Sequence, residues 1–448
     1  MAPHSMHIVL PVLCLTVAVT AAHGLLLIDF RADLNHPYAG SSLSTDDVII
    51  HAARASKARA ARINARLARV LGNLSAADVP VAPLSDQGHS LTLGIGTPPQ
   101  PRTLIVDTGS DLIWTQCRLS RRTRTASRQR EPLYEPRRSS SFAFLPCSDH
   151  LCQEGRFFDK NCTKNRCMYD ELYGSAEADG VLASETFTFG VDSKLSLPLG
   201  FGCGALSAGS LVDASGLMGL SPGIMSLVSQ LSVPRFSYCL TPFAERKTSP
   251  LLFGAMADLR KYKTSGTVQT TSIVRNPAME TAYYYVPLVG LSLGTKRLDV
   301  PATSLGIKPD GSGGTIVDSG STMAYLAEKA FRAVKKAVLQ TVRLPVVNGT
   351  DDEDYDYELC FLLPSGVAMG AVKTPPLVLH FDGGAAMVLP RDNYFQEPRA
   401  GLMCLAVGSS PDDFGVSIIG NVQQQNMHVL FDVRNEKFSF APTKCDDI

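Results

Sequence analysis

"TLIVDTGSDLIW" (103–114) is an apolar run broken at Asp107 by Thr-Gly-Ser, which puts one carboxylate and two hydroxyls on a loop after a strand. Alone, this is ordinary turn chemistry, because Asp bonds its own backbone and Gly supplies φ > 0. The chain carries a second version. "GTIVDSGSTMAYL" (314–326) repeats I-V-D-[TS]-G-S after the same kind of extended approach. Downstream of each lie two apolar residues and a glycine, Leu217-Met218-Gly219 and Ile418-Ile419-Gly420. The separations are 112 residues from Asp107 to Gly219 and 102 from Asp318 to Gly420. Such an internal repeat predicts two lobes of one architecture, each presenting one aspartate near a shared pseudo-twofold axis.

A carboxyl pair of this kind has a specific chemistry. Two carboxyls about 3 Å apart cannot both ionise, so they share a proton and titrate together. One can take a proton from a water held between them while the other protonates a carbonyl oxygen. Amide hydrolysis then needs no metal and no other cofactor. The hydroxyls of Thr108, Ser110, Ser319 and Ser321, with Gly109 and Gly320 at the turns, are placed to stiffen the loops and bond the outer carboxylate oxygens. The bland alternative is that two similar turns of a duplicated β protein carry Asp-x-Gly-Ser without chemistry.

The 448 residues allow two or three domains, and an apolar fraction of 45% suits a large core. Lys+Arg and Asp+Glu each total 42, so no global charge argues for nucleic acid or an anionic membrane. "IVLPVLCLTVAVTAA" (8–22) reads as the h-region and small-residue end of a signal peptide over 1–24, although no Lys or Arg precedes it. It is short for a bilayer span, and no stable membrane anchor is expected. Without Cys14, ten cysteines remain. The cluster Cys147, Cys152, Cys162, Cys167 lacks paired C-x₂-C knuckles and reads as disulfides in an oxidising compartment, not zinc.

Residues 25–88 differ from the rest. "HAARASKARAARINARLARVLG" (51–72) has basic residues at 54, 57, 59, 62, 66 and 69 and no acidic one, and reads as a cationic helix. From about Ser90 the texture is β-rich. The clearest later helix is "AEKAFRAVKKAVLQTV" (327–342), with Ala330, Phe331, Val334, Ala337 and Val338 on one face. The arginines between 118 and 130 and the acidic "DDEDYDYE" (351–358) read as exposed loops.

From Ser90 to Cys445 the chain resembles the pepsin-like aspartic proteases, most closely the plant nepenthesin-like group. Besides the two Asp loops, the resemblance rests on "IGTPPQ" (95–100), "LASETFTFG" (182–190), "FGCG" (201–204), "FSYCL" (236–240), "SIIGNVQQQNMHVLFD" (417–432) and "FSFAPTKCD" (438–446). It implies an all-β, bilobal fold with a few short helices and a helical N-terminal prosegment. The lobes are expected at 89–250 and 251–448, the propeptide at 25–88, and Asp107 and Asp318 as the catalytic dyad. It implies that Trp114 bonds, through its indole N–H, a flap tyrosine, here Tyr173 in "ELYGSAEADG"; the family has Tyr-Gly followed by Asp-Gly-Ser, and this chain's "YGSAEADG" is a residue shorter. By family correspondence the disulfides are Cys147–Cys167, Cys152–Cys162, Cys239–Cys445 and Cys360–Cys404. Arginines stand where two further family cysteines are usual, which leaves Cys117 and Cys203 to pair with each other.

The function this implies is a secreted aspartic endopeptidase, made as a zymogen and acting on polypeptides at acidic pH, with the basic helix covering the cleft until acid weakens its pairing. A monomer is expected, in the secretory pathway and then the apoplast rather than the vacuole. Asn73, Asn161 and Asn348 are glycosylation sequons, of which Asn73 leaves with the propeptide. The alternative is a catalytically weak or inactive relative that serves as a binding or inhibitor protein.

Overall fold

The computed structural model describes residues 28–36, 44–71, 88–119, 131–173, 176–189, 195–209, 211, 214–245, 247–279, 282–347, 356–410 and 415–448. The expected signal peptide, Asn73, Asn348, most of the arginine-rich stretch, residues 351–355 of the acidic one and residues 174–175 after Tyr173 lie outside them.

The fold is mainly β and has two lobes. In the first half a nine-stranded sheet contains the two apolar arms of the first Asp loop. Gly216–Gly219 runs parallel to Gln100–Asp107, with Asp107 opposite Gly219. In the second half Thr315–Val317 lies parallel to Ser417–Ile419, with Val317 opposite Ile419. These two parallel pairings are the physical content of the apolar-apolar-Gly repeat. Glycine is required after each, because a methyl at Gly219 would collide with the Asp111 carbonyl, and one at Gly420 with that of Met323.

A six-stranded sheet underlies both halves, in the order Arg31–Leu34, Ser249–Phe253, Phe236–Cys239, Met427–Asp432, Lys437–Pro442, Gln269–Ser272. The expected lobe boundary at 250/251 falls within one of its strands. Phe236, Tyr284 and Phe431 pack here with ring centroids 4.6–6.0 Å apart, forming an aromatic floor. The edge strand Arg31–Leu34 comes from the N-terminal region and pairs antiparallel with Ser249–Phe253. Phe30 stacks on Phe253 at 4.2 Å beside it.

The N-terminal helix spans Thr45–Val70 and begins six residues before the expected start. Ser44 and Asp47 form a reciprocal cap: the Asp47 amide donates to Ser44 Oγ at 3.1 Å and the Ser44 amide to Asp47 Oδ2 at 3.3 Å. Ala53, Ala60, Ile63 and Leu67 form its apolar stripe, packed on Met279, Tyr283, Tyr285 and Tyr325 of the second lobe. Ser56 Oγ accepts from the Met323 amide at 2.9 Å, and Asn64 Oδ1 from the Val416 amide at 3.2 Å. The second long helix, Glu328–Thr341, buries Ala330, Phe331, Val334, Ala337 and Val338, the face that the periodicity marked.

Disulfides join Cys239–Cys445, Cys360–Cys404 and Cys117–Cys203, the last with Cα atoms 5.3 Å apart. The clustered cysteines pair differently from the family-based expectation. The bonds are Cys147–Cys162 and Cys152–Cys167, not Cys147–Cys167 and Cys152–Cys162. Cys162 and Cys167 are cross-strand neighbours in the hairpin Asp159–Thr163/Arg166–Leu172, so both reach the same face. The course of the segment 147–152 over that face selects the partner, which residue spacing does not encode.

Candidate active site between the lobes

Asp107 and Asp318 end equivalent strands and are both fully buried. Their surroundings repeat almost atom for atom. The Gly109 amide donates to Asp107 Oδ1 at 2.9 Å, and the Gly320 amide to Asp318 Oδ1 at 2.9 Å. Ser110 Oγ donates to Asp107 Oδ2 at 2.7 Å, and Ser321 Oγ to Asp318 Oδ2 at 2.6 Å. The loops are tied to each other: the Thr108 amide donates to Ser319 Oγ at 3.1 Å and the Ser319 amide to Thr108 Oγ1 at 2.9 Å. Each hydroxyl in turn donates a hydrogen bond to a carbonyl behind the opposite loop, Val317 for Thr108 and Val106 for Ser319, both at 3.3 Å. The glycines permit the approach, since a methyl at Gly109 would strike the Asp318 carboxylate and one at Gly320 that of Asp107.

Models described as xylanase inhibitor N-terminal and xylanase inhibitor C-terminal match residues 89–255 and 283–442. The chain is 38% identical over 432 residues to aspartic proteinase nepenthesin-1 of Nepenthes gracilis, covering 96% of this chain and 93% of that one. The chain belongs to the nepenthesin-like group of pepsin-like aspartic proteases. It is also 34% identical over 402 residues to aspartyl protease 37 of Oryza sativa subsp. japonica, covering 82% of each. Among solved structures, basic 7S globulin from soybean has a TM-score of 0.61 at 15% identity, with 80% of this chain and 94% of that one covered. At that identity the likeness shows the fold alone.

This nepenthesin-like chain holds a cation on the carboxyl pair. The Arg59 guanidinium, from the N-terminal helix, is 5% exposed and bonds both carboxylates. Its Nη2 donates to Asp107 Oδ1 at 2.7 Å, to Asp107 Oδ2 at 2.9 Å and to Asp318 Oδ1 at 3.0 Å, while Nε donates to Asp318 Oδ2 at 2.8 Å. Burial is the strongest influence on each carboxyl and favours the neutral form. At Asp107 burial prevails over Arg59, aided by the charge of Asp318, and the pKa is raised. At Asp318 the charge and hydrogen bond of Arg59, with those of Ser321 and Gly320, outweigh burial and the pKa is lowered.

Around this centre the helix pairs with both lobes. Arg66 Nη1 donates to Glu171 Oε1 at 3.2 Å beside Tyr173. Arg54 and Lys57 bond Asp356 at 3.1 and 3.0 Å on the other lobe. Tyr173 and Trp114 meet, but not by the expected hydrogen bond. Their rings stack at 5.7 Å and 28°, and neither the indole N–H nor the phenol oxygen has a hydrogen-bond partner among the described residues. A ring lying nearly flat on the indole cannot also present its hydroxyl to the in-plane N–H. Asn161 is exposed on the hairpin strand Asp159–Thr163, and its Oδ1 accepts from Thr163 Oγ1 at 3.1 Å. Among the described residues there is no cluster of three metal-ligating side chains, and no helix is long and apolar enough to cross a membrane.

Arg59, Glu171 and Asp356 were not singled out by residue type. The signal for Arg59 was spacing: residues 59, 62 and 66 fall on one helical face, apart from 54 and 57.

Proposed function

We propose that this chain is a secreted aspartic endopeptidase, synthesised as a precursor that its own N-terminal helix holds inactive. The observation that carries this reading is the carboxyl pair itself, two buried aspartates tied by reciprocal Thr108–Ser319 bonds and joined through one guanidinium. Arg59 occupies the place where a substrate carbonyl and its attacking water would bind.

With Arg59 gone, burial and mutual repulsion act on the two carboxyls, so the pair holds one proton over an acidic range. The ionised carboxylate takes a proton from the bound water, whose oxygen attacks the amide carbon. The protonated carboxyl gives its proton to the carbonyl oxygen, producing a gem-diol. A diol proton then returns to one carboxylate, the other carboxyl protonates the amide nitrogen, and the C–N bond breaks. Each carboxylate is held at both oxygens, Oδ1 by a glycine amide and Oδ2 by a serine hydroxyl, which fixes the two carboxyl planes for this exchange. Tyr173 over Trp114 forms the wall that closes on the substrate as a flap. Residues 1–24 act as the export signal, 25–88 as the propeptide, and the mature protein works as an extracellular monomer.

The test is acidification of the purified precursor with denatured protein substrate, beside Asp107→Asn and Asp318→Asn. Acid-dependent cleavage, blocked by pepstatin and reduced at least about 100-fold in either variant, is expected. Activity that survives either substitution overturns the mechanism. A correctly processed protein with no activity identifies a binding or inhibitor protein instead.

A further inference from the structure

The N-terminal helix fills a second polar position besides the carboxyl pair. Arg66, two helical turns beyond Arg59, meets Glu171, which is only 4% exposed. Asp111 and Tyr283 add negative and aromatic surroundings to the same guanidinium. A cavity of about 60 Å³ remains beside it, bordered by Ser110, Glu171, Tyr173 and Tyr283. Tyr173 is 5% exposed there, and its hydroxyl has no hydrogen-bond partner among the described residues. Burial pushes the Glu171 carboxyl up to about 7 even beside Arg66, so its ionised form at this position calls for a cation within hydrogen-bond reach.

We propose that, once the helix leaves, this pocket is a substrate subsite that takes a lysine or arginine side chain about three residues from the scissile bond. The assignment deepens the endopeptidase reading and rests on it. The offset follows from geometry. Seven helical residues at about 1.5 Å each separate Arg59 from Arg66 along the axis, or about 10 Å. An extended substrate at about 3.3 Å per residue covers that distance in about three residues. Glu171 Oε1 provides the charge-assisted bond, Tyr173 and Tyr283 the apolar walls for the aliphatic stem, and Asp111 a second negative group.

The experiment uses the mature enzyme at about pH 5 and again at about pH 7, because burial pushes the Glu171 carboxyl up to about 7 and the substrate cation must draw it into its ionised form. Matched peptides carry lysine or norleucine at each position two to four residues on either side of one scissile bond. The readout is the ratio of kcat/KM for the lysine and norleucine peptides, for wild type, Glu171→Gln and Glu171→Asp. A ratio of at least about fivefold at one position is expected, falling to about one in Glu171→Gln and retained in part by Glu171→Asp. A ratio near one at every position in the wild type overturns the subsite, as does a preference that Glu171→Gln leaves intact. The wild-type scan decides this even if the variants do not fold. Failure of the folded mature protein to cut any norleucine peptide overturns the endopeptidase reading itself, and the subsite with it.

Discussion

Thr108 and Ser319, 211 positions apart in sequence, exchange hydrogen bonds in both directions, amide to hydroxyl at 3.1 Å and amide to hydroxyl at 2.9 Å. This exchange makes the two lobes one rigid unit at the carboxyl pair. Either substitution, Thr108→Val or Ser319→Ala, strands a buried amide of the other loop. A buried donor without an acceptor costs about 1–3 kcal/mol. Denaturant unfolding is expected to show that loss, and kcat/KM to fall at least about tenfold as the carboxyl spacing relaxes. Ser319→Thr, which keeps the hydroxyl, is expected to recover most of both. Unchanged stability in Ser319→Ala would show that the exchange is not what locks the loops.

Arg59 gives a second prediction. Breaking a buried ion pair from one side costs about 3–5 kcal/mol, because the remaining charge is left without compensation. Here the two stranded carboxyls can share a proton, so Arg59→Ala is expected to cost the docked helix less than that. The variant precursor should convert at higher pH than wild type, with its helix cut faster by an added protease at neutral pH. Arg59→Lys retains charge but lacks the planar fork that reaches both carboxylates, so it should fall between the two. Conversion of Arg59→Ala along the wild-type pH curve would remove Arg59 from the inhibitory contact.

Much of this site was legible from the chain alone, and the reasons differ by residue. Asp107 and Asp318 were visible because the fold is duplicated and a parallel strand crossing needs its apolar-apolar-Gly signature twice. The helix Glu328–Thr341 was visible because one face must bury five apolar residues. Ser44 and Asp47 were not read as a cap, so the N-terminal helix was expected to begin too late. The pairing of Cys147 and Cys152 was not legible. Cys162 and Cys167 face each other across a hairpin, and either exchange of partners satisfies the spacing. The stacking of Tyr173 on Trp114 likewise depends on ring orientation, which residue identity does not fix.

His89 predicts how acid loosens the N-terminal region. It lies next to Ser90, whose backbone exchanges bonds with Asn35, and its ring faces His36 at 6.2 Å and Phe243 at 6.1 Å. Burial, and then the charge of His36, lower its pKa to about 3. The released state has a normal imidazole near 6.5 and therefore binds the proton more readily. Its contribution to docking is complete above about pH 6.5 and is lost progressively as pH falls toward 3. His89→Phe should keep the strand Arg31–Leu34 protected from amide exchange at pH 4, where the wild type opens. Equal exchange in the two proteins at pH 4 would assign acid release to other groups.

Asp170 predicts the opposite trend in the hairpin Asp159–Thr163/Arg166–Leu172. It stands opposite Asp159 on one neighbouring strand and Asp179 on the other, a row of like charges that repel when ionised. Burial first, then Glu177, Asp179 and Asp159, raise its pKa to about 6. Its folded value lies above the unfolded one, so the folded hairpin binds the proton more strongly. The stability this confers is complete below about pH 3.8 and is lost as pH rises through 6. Asp170→Asn should therefore stabilise the protein at pH 7 and leave it nearly unchanged at pH 3, measured as Tm across that range. A Tm gain of the same size at both pH values would mean that lost charge repulsion is not its cause. A hairpin built this way is firmest in the acid where the proposed endopeptidase works, because acid protonates Asp170 and quiets the repulsion from Glu177, Asp179 and Asp159.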